Sequence, residues 1–360
     1  MEIYKPIVLQ VVSLLFLLAF FFFAKLKKSY WLSAAFLLFL LLFVISVFVN
    51  RDYSANIDLP LYMDFYKYNQ VFADIFESKT AWKGDFLFFG LMPVSHLLGF
   101  DQENYITLQL ILSISLTFIA YFKFFKENRA FAFLALFFML NSSSFYLIHG
   151  NVIRQGLASS LLLIGLCTTV WEYSLLSKIA AFLSHKGSVF SFLTKFLNIG
   201  NKTRIWLLIG ALVIGYFSLF IYVLNILPLP AFVETKIGFY STFERASSNS
   251  LIKLILLLGF NLLFLFLRSK ELKYEKVYDL FFVFSIAALL LFRFDGMFSR
   301  LVLYTDIFIP FLSVGLIQQF SIKKNKSIAV LITISCSFIY SVYVFNHDSI
   351  LFNMGKYFKI

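Results

Sequence analysis

A single arginine between two long apolar runs is the first candidate for chemistry. Arg154 lies in the segment His149–Ala158, and the run on either side approaches the roughly 20 apolar residues that a helix needs to cross a bilayer. A fixed guanidinium at such a helix mouth, beside the amides of Asn151 and Gln155, suits a phosphate-bearing head group. The alternative is an interfacial arginine that only extends its charge to the membrane surface.

A histidine–lysine pair is the second candidate. His185 and Lys186 interrupt an otherwise apolar stretch, and no acidic residue is close to them in the sequence. Broken helices at membrane depth are tolerated only where they are buried or line a cavity, and ionisable side chains there need a partner or water. The pair therefore indicates a functional site at a helix break. His96 and His149, in contrast, are interpreted as interfacial side chains.

Phosphate chemistry in this chain would depend on positively charged side chains. The sequence contains no His-Glu-x-x-His, no Asp-x-Asp, no paired cysteine or histidine ligands and no glycine-rich phosphate loop. We therefore expect no metal and no cofactor. Positioned arginine and lysine side chains can instead stabilise a pyrophosphate leaving group. Arg300 is a further candidate, although structural pairing with Asp295 or Asp306 explains it equally well.

Transmembrane helices are the elements that must position these residues. Of the 360 residues, 61% are hydrophobic and only 14% are charged, and apolar runs recur along the whole chain. A net charge of +12 would suggest nucleic acid in a soluble protein. Here most basic residues lie in short loops between apolar runs, and no basic–aromatic nucleic-acid module is present. We expect an all-α integral membrane protein without a nucleic-acid partner.

The loop charges predict the topology. Lys25, Lys27 and Lys28 follow the first apolar run rather than precede it, so this run is interpreted as a retained span with the N-terminus outside. More than half of the 31 Lys and Arg residues fall in short loops assigned to the cytoplasm, as the positive-inside rule requires. The pattern predicts a polytopic bundle of about 11–12 transmembrane helices in a single domain over residues 1–360.

Several predicted segments matter for the candidate residues. Two sizeable outer loops are predicted at about residues 50–104 and 225–250, the first containing a short interfacial or re-entrant helix at 86–100. Crossings are predicted at 30–49, 105–122, 130–148, 157–170, 301–319 and 327–345. Arg154 would then face the outside.

The order and spacing of these motifs resemble the EpsG-type polysaccharide polymerases, relatives of the Wzy-type O-antigen and capsule polymerases. The most specific part of the resemblance is Asn151-x-x-Arg154-Gln155-Gly156-x-Ala158, followed thirty residues later by Ala181-x-x-x-His185-Lys186-x-Ser188. Upstream, the matching features are Arg51, Asp58-x-x-x-Tyr62 and Asp85-Phe86. Downstream, Phe298-x-Arg300-Leu301-x-x-Tyr304 resembles the late arginine–tyrosine motif of the family.

Two departures from the family pattern fall in the first outer loop. The Asp-Tyr pair usually found there is displaced to Asp52-Tyr53, and Asp85 stands where glutamate is commoner. Both departures concern residues whose roles depend on the resemblance.

The resemblance implies a GT-C-like glycosyltransferase in the bacterial inner membrane with its active site facing the periplasm. Its glycosyl donor and its acceptor would both be oligosaccharide repeat units linked to undecaprenyl diphosphate, and the anomeric centre would be inverted. A chain-length regulator is a further partner that the resemblance allows.

The resemblance also implies roles for particular residues. Arg154 with Gln155 would bind the donor diphosphate, and Arg300 would act as a second phosphate clamp. The implied substrate-binding residues are Arg51, Tyr62, Asn151, Arg154, Gln155, Lys186, Arg300 and Tyr304. The implied catalytic residues are His185, which orients the acceptor or adds charge, and Asp58 or Asp85 as general base.

Two other functions stay open. A flippase for lipid-linked oligosaccharides would also place cations inside a bundle, but it predicts even spans, short loops and internal pseudo-repeats, and the 36-residue segment Asn50–Asp85 counts against it. An O-antigen ligase of the same general fold, or a membrane acyltransferase, is the other alternative. A ligase shares the glycosyl donor and differs only in its acceptor.

Overall fold

The computed structural model describes residues 2–25, 30–49, 58–77, 85–219, 248–267, 271–320 and 357–359. The chain divides into two compact units, here called unit 1 (Met1–Ser78, Gly84–Ser188 and Phe320–Ile360) and unit 2 (Lys79–Lys83 and Val189–Gln319). Arg51, most of the predicted second outer loop and the predicted crossing at 327–345 lie outside the described residues.

Unit 1 is built almost entirely from helices. Its described helices are α1 (Lys5–Lys25), α2 (Tyr30–Val49), α3 (Asp58–Tyr68), α4 (Phe72–Glu77), α5 (Phe86–Leu97), α6 (Gln102–Phe124), α7 (Ala130–Leu140), α8 (Ser143–Gly150), α9 (Ile153–Leu166) and α10 (Trp171–Ser184). A 3₁₀ helix, Lys186–Phe196, follows α10, and of its residues only Lys186–Ser188 belong to unit 1. The exception to the helical pattern is a short antiparallel pair, β1 (Glu2–Tyr4) with β2 (Tyr357–Lys359).

Aromatic side chains pack α7 against α1 and α2. The ring of Phe133 stacks on that of Phe23, with 5.1 Å between centroids, and lies within 6.3 Å of Phe16 and 6.1 Å of Phe36. Such ring pairs contribute about 0.5–1.5 kcal/mol each beyond the area they bury. The high phenylalanine content therefore supplies an internal core as well as surface for lipid.

Hydroxyl groups join α6 to α9. Thr117 Oγ1 lies 2.8 Å from Ser160 Oγ, and the Ser160 hydroxyl donates to the backbone carbonyl of Ser113 at 2.7 Å. Small hydroxyl residues let helix backbones approach closely in a bilayer, and bonds between helices add to this packing. This seam positions α9, the helix that carries Arg154.

Three described helices are long and apolar enough to cross a membrane: Tyr30–Val49, Gln102–Phe124 and Ser250–Leu267. Two bent helix pairs raise this number to five if each pair is one span. The predicted crossings at 30–49 and 105–122 are thus confirmed as membrane-length helices, and the composition indicates a multi-pass membrane protein. The total of about 11–12 crossings stays a prediction.

The segment of the predicted crossing at 130–148 is not one straight helix, because α7 and α8 meet at an angle of 81°, and the crossing itself stays a prediction. The Asn141 side-chain amide donates to the carbonyl of Phe137 at 2.9 Å, and the Ser142 hydroxyl accepts the N–H of Ser144 at 3.3 Å. These local bonds end one helix and begin the next. Two polar side chains therefore outweigh the apolar run around them.

The predicted crossing at 301–319 is broken as well. It comprises α14 (Asp295–Asp306) and α15 (Ile309–Phe320), which are bent by 41° relative to each other. Pro310 is the second residue of α15 and has no N–H to donate to the carbonyl of Asp306. The proline explains why a new helix begins there.

Unit 2 also contains helices joined by tight packing. Its other described helices are α11 (Asn201–Tyr216), α12 (Ser248–Leu267) and α13 (Leu272–Leu290). Arg204 of α11 is buried, pairs with Asp279 of α13 at 2.8 Å, and donates to the carbonyl of Leu197 at 3.1 Å. This arginine therefore fastens the turn before α11 to α13, which is a structural role.

Replacing Gly215 by alanine should destabilise unit 2. A Cβ atom at Gly215 would lie 1.9 Å from the carbonyl oxygen of Leu289, whereas a Cβ at Gly210, five residues earlier on α11, would meet nothing within 4 Å. We expect Gly215→Ala to lower the free energy of unfolding by about 1–3 kcal/mol, and Gly210→Ala to leave it unchanged or raise it. Thermal unfolding in detergent measures both. Equal melting temperatures for the two variants would contradict this packing.

Candidate functional site

Arg154 is the centre of the candidate site. It lies in the first turn of α9, yet only 1% of its side chain is exposed. Its Nη1 forms an ion pair with Oδ2 of Asp85, and its Nε donates to the hydroxyl of Tyr62 at 3.3 Å. The rings of Tyr62 and Phe89 lie 5.3 and 5.9 Å from the guanidinium carbon. The interpretation of Arg154 as a surface-reaching arginine is therefore wrong.

Asp85 connects three segments of unit 1. It directly precedes α5, its Oδ2 binds Arg154 of α9, and its Oδ1 accepts the backbone N–H of Lys186 at 3.2 Å. The carboxylate is buried. Removing one partner from a buried ion pair leaves an uncompensated charge, which typically costs about 3–5 kcal/mol. Asp85 therefore holds the start of α9 and the segment after α10 together.

The helix break predicted at the histidine–lysine pair is confirmed. α10 ends at Ser184, and His185 adopts an extended backbone. The Nδ1 of His185 accepts the N–H of Gly187 at 3.3 Å, and its carbonyl accepts the N–H of Ser188 at 3.0 Å. These bonds turn the chain so that the N–H of Lys186 points to Asp85.

Lys186 adds a second cation beside Arg154. It is half-buried and follows α10, outside the helices that could cross a membrane. Burial lowers the pKa of Lys186, the Asp85 carboxylate opposes this shift, and the Arg154 charge lowers the pKa further. A lysine next to an arginine makes this corner favourable for an anion.

Asn151 and Asp58 join the start of α3 to the Arg154 turn. The backbone N–H of Asp58, at the start of α3, donates to Asn151 Oδ1 at 3.3 Å. Asn151 ends α8 and stands three residues before Arg154. The Asp58 side chain is half-buried at the first turn of α3, the helix whose Tyr62 binds Arg154. Both residues thus belong to the Arg154 site.

The interpretation of His149 as an interfacial side chain is wrong. Only 1% of this residue is exposed, its Nδ1 lies 3.0 Å from the hydroxyl of Ser113, and its ring centroid lies 4.7 Å from that of Phe145. A Cβ atom at Gly156 would come within 2.7 Å of the carbonyl oxygen of Ile148. The glycine therefore allows α8 to lie directly against α9, and His149 fixes α8 to α6.

The family relationship can now be stated. A model of the EpsG family matches residues 35–358, most of the chain. The chain belongs to the EpsG family. Comparisons with curated proteins and with solved structures give no match. Membership of the EpsG family and the apolar helices together point to a multi-pass membrane protein of polysaccharide biosynthesis with a polymerase type of function.

The structure of this EpsG-family chain brings most of the predicted site residues into unit 1. Tyr62 and Asp85 contact Arg154 directly, and Asp85 also accepts the N–H of Lys186. Asp58 is bonded to Asn151, three residues before Arg154, and His185 directly precedes Lys186. Gln155 is fully buried beside Arg154 on α9. Phe89 was missed, although its position four residues after Asp85 puts both on one face of a helix. Among the described residues, no group of three His, Cys, Asp or Glu side chains is arranged to hold a metal ion.

Arg300 and Tyr304 lie on α14 in unit 2 of the EpsG-family chain. Tyr304 is buried and stacks on Phe284 with 4.7 Å between ring centroids, while Arg300 is half-buried. Asp295, at the start of the same helix, accepts hydrogen bonds from the hydroxyls of Ser250 and Ser299. The substrate roles of Arg300 and Tyr304 stay predictions.

Tyr62→Phe should destabilise the Arg154 site of the EpsG-family protein while keeping the aromatic ring in place. The substitution keeps the ring but removes the hydroxyl that accepts from Nε of Arg154, leaving a buried donor to be satisfied otherwise. We expect a loss of about 1–3 kcal/mol in the free energy of unfolding, measured by thermal unfolding in detergent. Tyr68→Phe is the control, because Tyr68 is on the same helix and 76% exposed. Equal effects of the two substitutions would contradict the proposed contact.

Proposed function

We propose that this EpsG-family protein is a polysaccharide polymerase: a membrane glycosyltransferase that joins undecaprenyl-diphosphate-linked repeat units at the periplasmic face of the bacterial inner membrane. The observation that supports the proposal most is the buried Arg154, which contacts Tyr62 and Asp85 and lies close to the Lys186 segment. The glycosyl donor is a growing glycan on its lipid diphosphate, and the acceptor is another lipid-linked repeat unit.

The cost of burying a charge indicates that Arg154 has a functional role and not only a stabilising one. A buried ion pair often contributes less stability than apolar side chains of the same volume, so stability alone is a weak reason for it. Ionisable groups inside membrane proteins usually belong to binding or transport sites. Arg154 also stands at the N-terminus of α9, where the helix dipole and backbone N–H groups attract anions. A diphosphate has the charge and the oxygen geometry that such a site binds.

The proposed reaction is a direct displacement. A hydroxyl oxygen of the acceptor sugar attacks the anomeric carbon of the donor, and the bond from that carbon to the diphosphate oxygen breaks. The electron pair leaves with undecaprenyl diphosphate, whose charge Arg154 and Lys186 stabilise, assisted by Gln155 and Asn151. The hydroxyl proton passes to a carboxylate acting as general base. One displacement of this kind inverts the anomeric centre.

We assign the general base to Asp58 rather than to Asp85. One carboxylate oxygen of Asp85 already binds Arg154 and the other accepts the Lys186 N–H, so this carboxylate holds the site together. Asp58 stands at the start of α3, the helix that carries Tyr62, and its backbone contact with Asn151 places its half-buried side chain near the Arg154 turn. His185 orients the acceptor in this proposal. The resemblance adds Arg51, Arg300 and Tyr304 to the proposed substrate-binding residues.

Arg154→Ala should abolish long-chain glycan while leaving the protein in the membrane. Loss of one charge-stabilising group typically lowers a rate about 10²–10³-fold. Arg154→Lys keeps the charge but loses the planar fork, so we expect shorter chains from it. Arg129→Ala is the control, because Arg129 stacks on Tyr30, outside the site. The measurement is a gel of surface polysaccharide from a knockout strain that expresses each variant.

The same gel separates the candidate functions. A knockout that shows core with a single repeat supports a polymerase, whereas loss of every repeat points to a flippase or a ligase. Full-length polymer from Arg154→Ala would mean that the phosphate-clamp role is wrong.

Asp58→Asn should remove the general base and leave donor binding intact. We expect the polymerisation rate of purified protein in lipid nanodiscs to fall about 10²–10⁴-fold. Asp64→Asn on the same helix is the control, since Asp64 is exposed and pairs only weakly with Lys67 at 3.3 Å. An unchanged rate for Asp58→Asn would exclude Asp58 as the base.

A further inference from the structure

We propose that Asp85 is a displaceable counter-ion that keeps the Arg154 site closed until the diphosphate of the glycosyl donor replaces it. This inference depends on the proposed function, because the displacing ligand is taken to be a lipid-linked diphosphate. It assigns to Asp85 a role as a positioning and specificity-determining residue rather than as a general base.

The first support is that Asp85 makes contacts suited to a phosphate group. One oxygen binds the guanidinium of Arg154, and the other accepts a backbone N–H from Lys186. Arginine pairs with carboxylate and with phosphate through the same planar arrangement of N–H donors, and backbone N–H groups bind both. The carboxylate therefore stands where an anionic ligand of Arg154 would bind.

The second support is that Asp85 does not cap its own helix. It occupies the residue before α5, and aspartate is strongly preferred there because its carboxylate accepts N–H groups of the first turn. No such side-chain bond forms at α5. Asp101 occupies the same position before α6, and its carboxylate accepts the N–H of Asn104 at 2.7 Å. Asp85 thus bonds to residues that are distant in the sequence instead of capping its own helix.

The backbone shows the same contrast between the two aspartates. Asp101 has an extended conformation with a ψ of −177°, whereas the ψ of Asp85 is 56°. An aspartate that caps its helix usually adopts the extended form. Rotating ψ at Asp85 would turn its carboxylate from Arg154 towards the first turn of α5. The start of α5 thus offers Asp85 a second position in which its negative charge would be satisfied.

Exchange between these positions leaves no buried charge unpaired. A diphosphate carries more negative charge than one carboxylate and can bind Arg154, the Lys186 N–H and the N-terminus of α9 together. The released carboxylate is then stabilised by the N-terminus of α5, where negative charge is favoured. Because an unpaired charge at this depth is costly, displacement is favourable only for a ligand that replaces both contacts of Asp85.

The counter-ion also selects among anions. A ligand that binds only one state of a two-state site has its apparent affinity lowered by the fraction of protein in that state. If Asp85 occupies Arg154 about nine-tenths of the time, every anion binds about tenfold more weakly. Small monoanions then bind too weakly to occupy the site, whereas a diphosphate on a lipid still binds.

The test compares Asp85→Asn with Asp101→Asn in the full-length protein in detergent. Both substitutions remove one charge from the residue before a helix in unit 1, but only the first frees Arg154. The probe is inorganic pyrophosphate, and the readout is the concentration that raises the melting temperature of each variant by a fixed amount. We expect this concentration to fall about tenfold in Asp85→Asn and to stay unchanged in Asp101→Asn. Equal or weaker binding by Asp85→Asn would overturn the proposal.

A second measurement tests the proposal if Asp85→Asn does not fold. If Asp85→Asn elutes as an aggregate, adding pyrophosphate during purification should restore the monodisperse peak, because the anion replaces the missing charge. A peak that pyrophosphate does not restore would also overturn the proposal. Asp85→Ser, which keeps a hydroxyl able to cap α5, should behave as Asp85→Asn does.

Failure of this inference and failure of the proposed function give different results. If Asp85→Asn binds pyrophosphate more tightly and the knockout strain still makes polymer, the counter-ion proposal is supported and the polymerase is excluded. Unchanged pyrophosphate binding, with polymer lost from both Asp85→Asn and Arg154→Ala, would support the polymerase and return Asp85 to the role of general base. In that case the counter-ion proposal is wrong.

Discussion

Burial of one guanidinium determines how unit 1 is arranged around its candidate site. A cation removed from water needs an opposite charge and hydrogen-bond acceptors, and no single helix can supply them all. Arg154 receives them from Tyr62 on α3 and from Asp85 before α5, and the same carboxylate accepts the backbone N–H of Lys186. One side chain therefore brings together parts of the chain that are far apart in sequence.

The close approach of helices makes this burial possible. Gly156 lies against the carbonyl of Ile148, and Ser160 bonds to α6, so α8 and α9 meet α6 without large side chains between them. His149, bound to Ser113, holds the same corner. Small and hydroxyl residues have this effect in membrane proteins because lipid provides little driving force between helices. The close packing of α6, α8 and α9 thus holds the Arg154 site in place.

Helix breaks put polar backbone and side chains where chemistry needs them. The α7–α8 break precedes the Arg154 turn, and the break at His185 directs an N–H to Asp85. Non-helical backbone at membrane depth is stable only when protein groups or water satisfy it. In unit 1 the break at His185 lies at the candidate site, and transporters also place broken helices beside their ligands.

The sequence by itself determined the membrane class, the membrane-length helices predicted at 30–49 and 105–122 and the break at His185, because each depends on local composition or spacing. Only the tertiary structure decided that Arg154 pairs with Asp85, which is 69 residues away, and that His149 is buried. Hydrophobic periodicity says which residues avoid water, but it carries no information on which distant segment faces them. The Asn141–Ser142 break was missed for a related reason, since two capping side chains overrode a long apolar run.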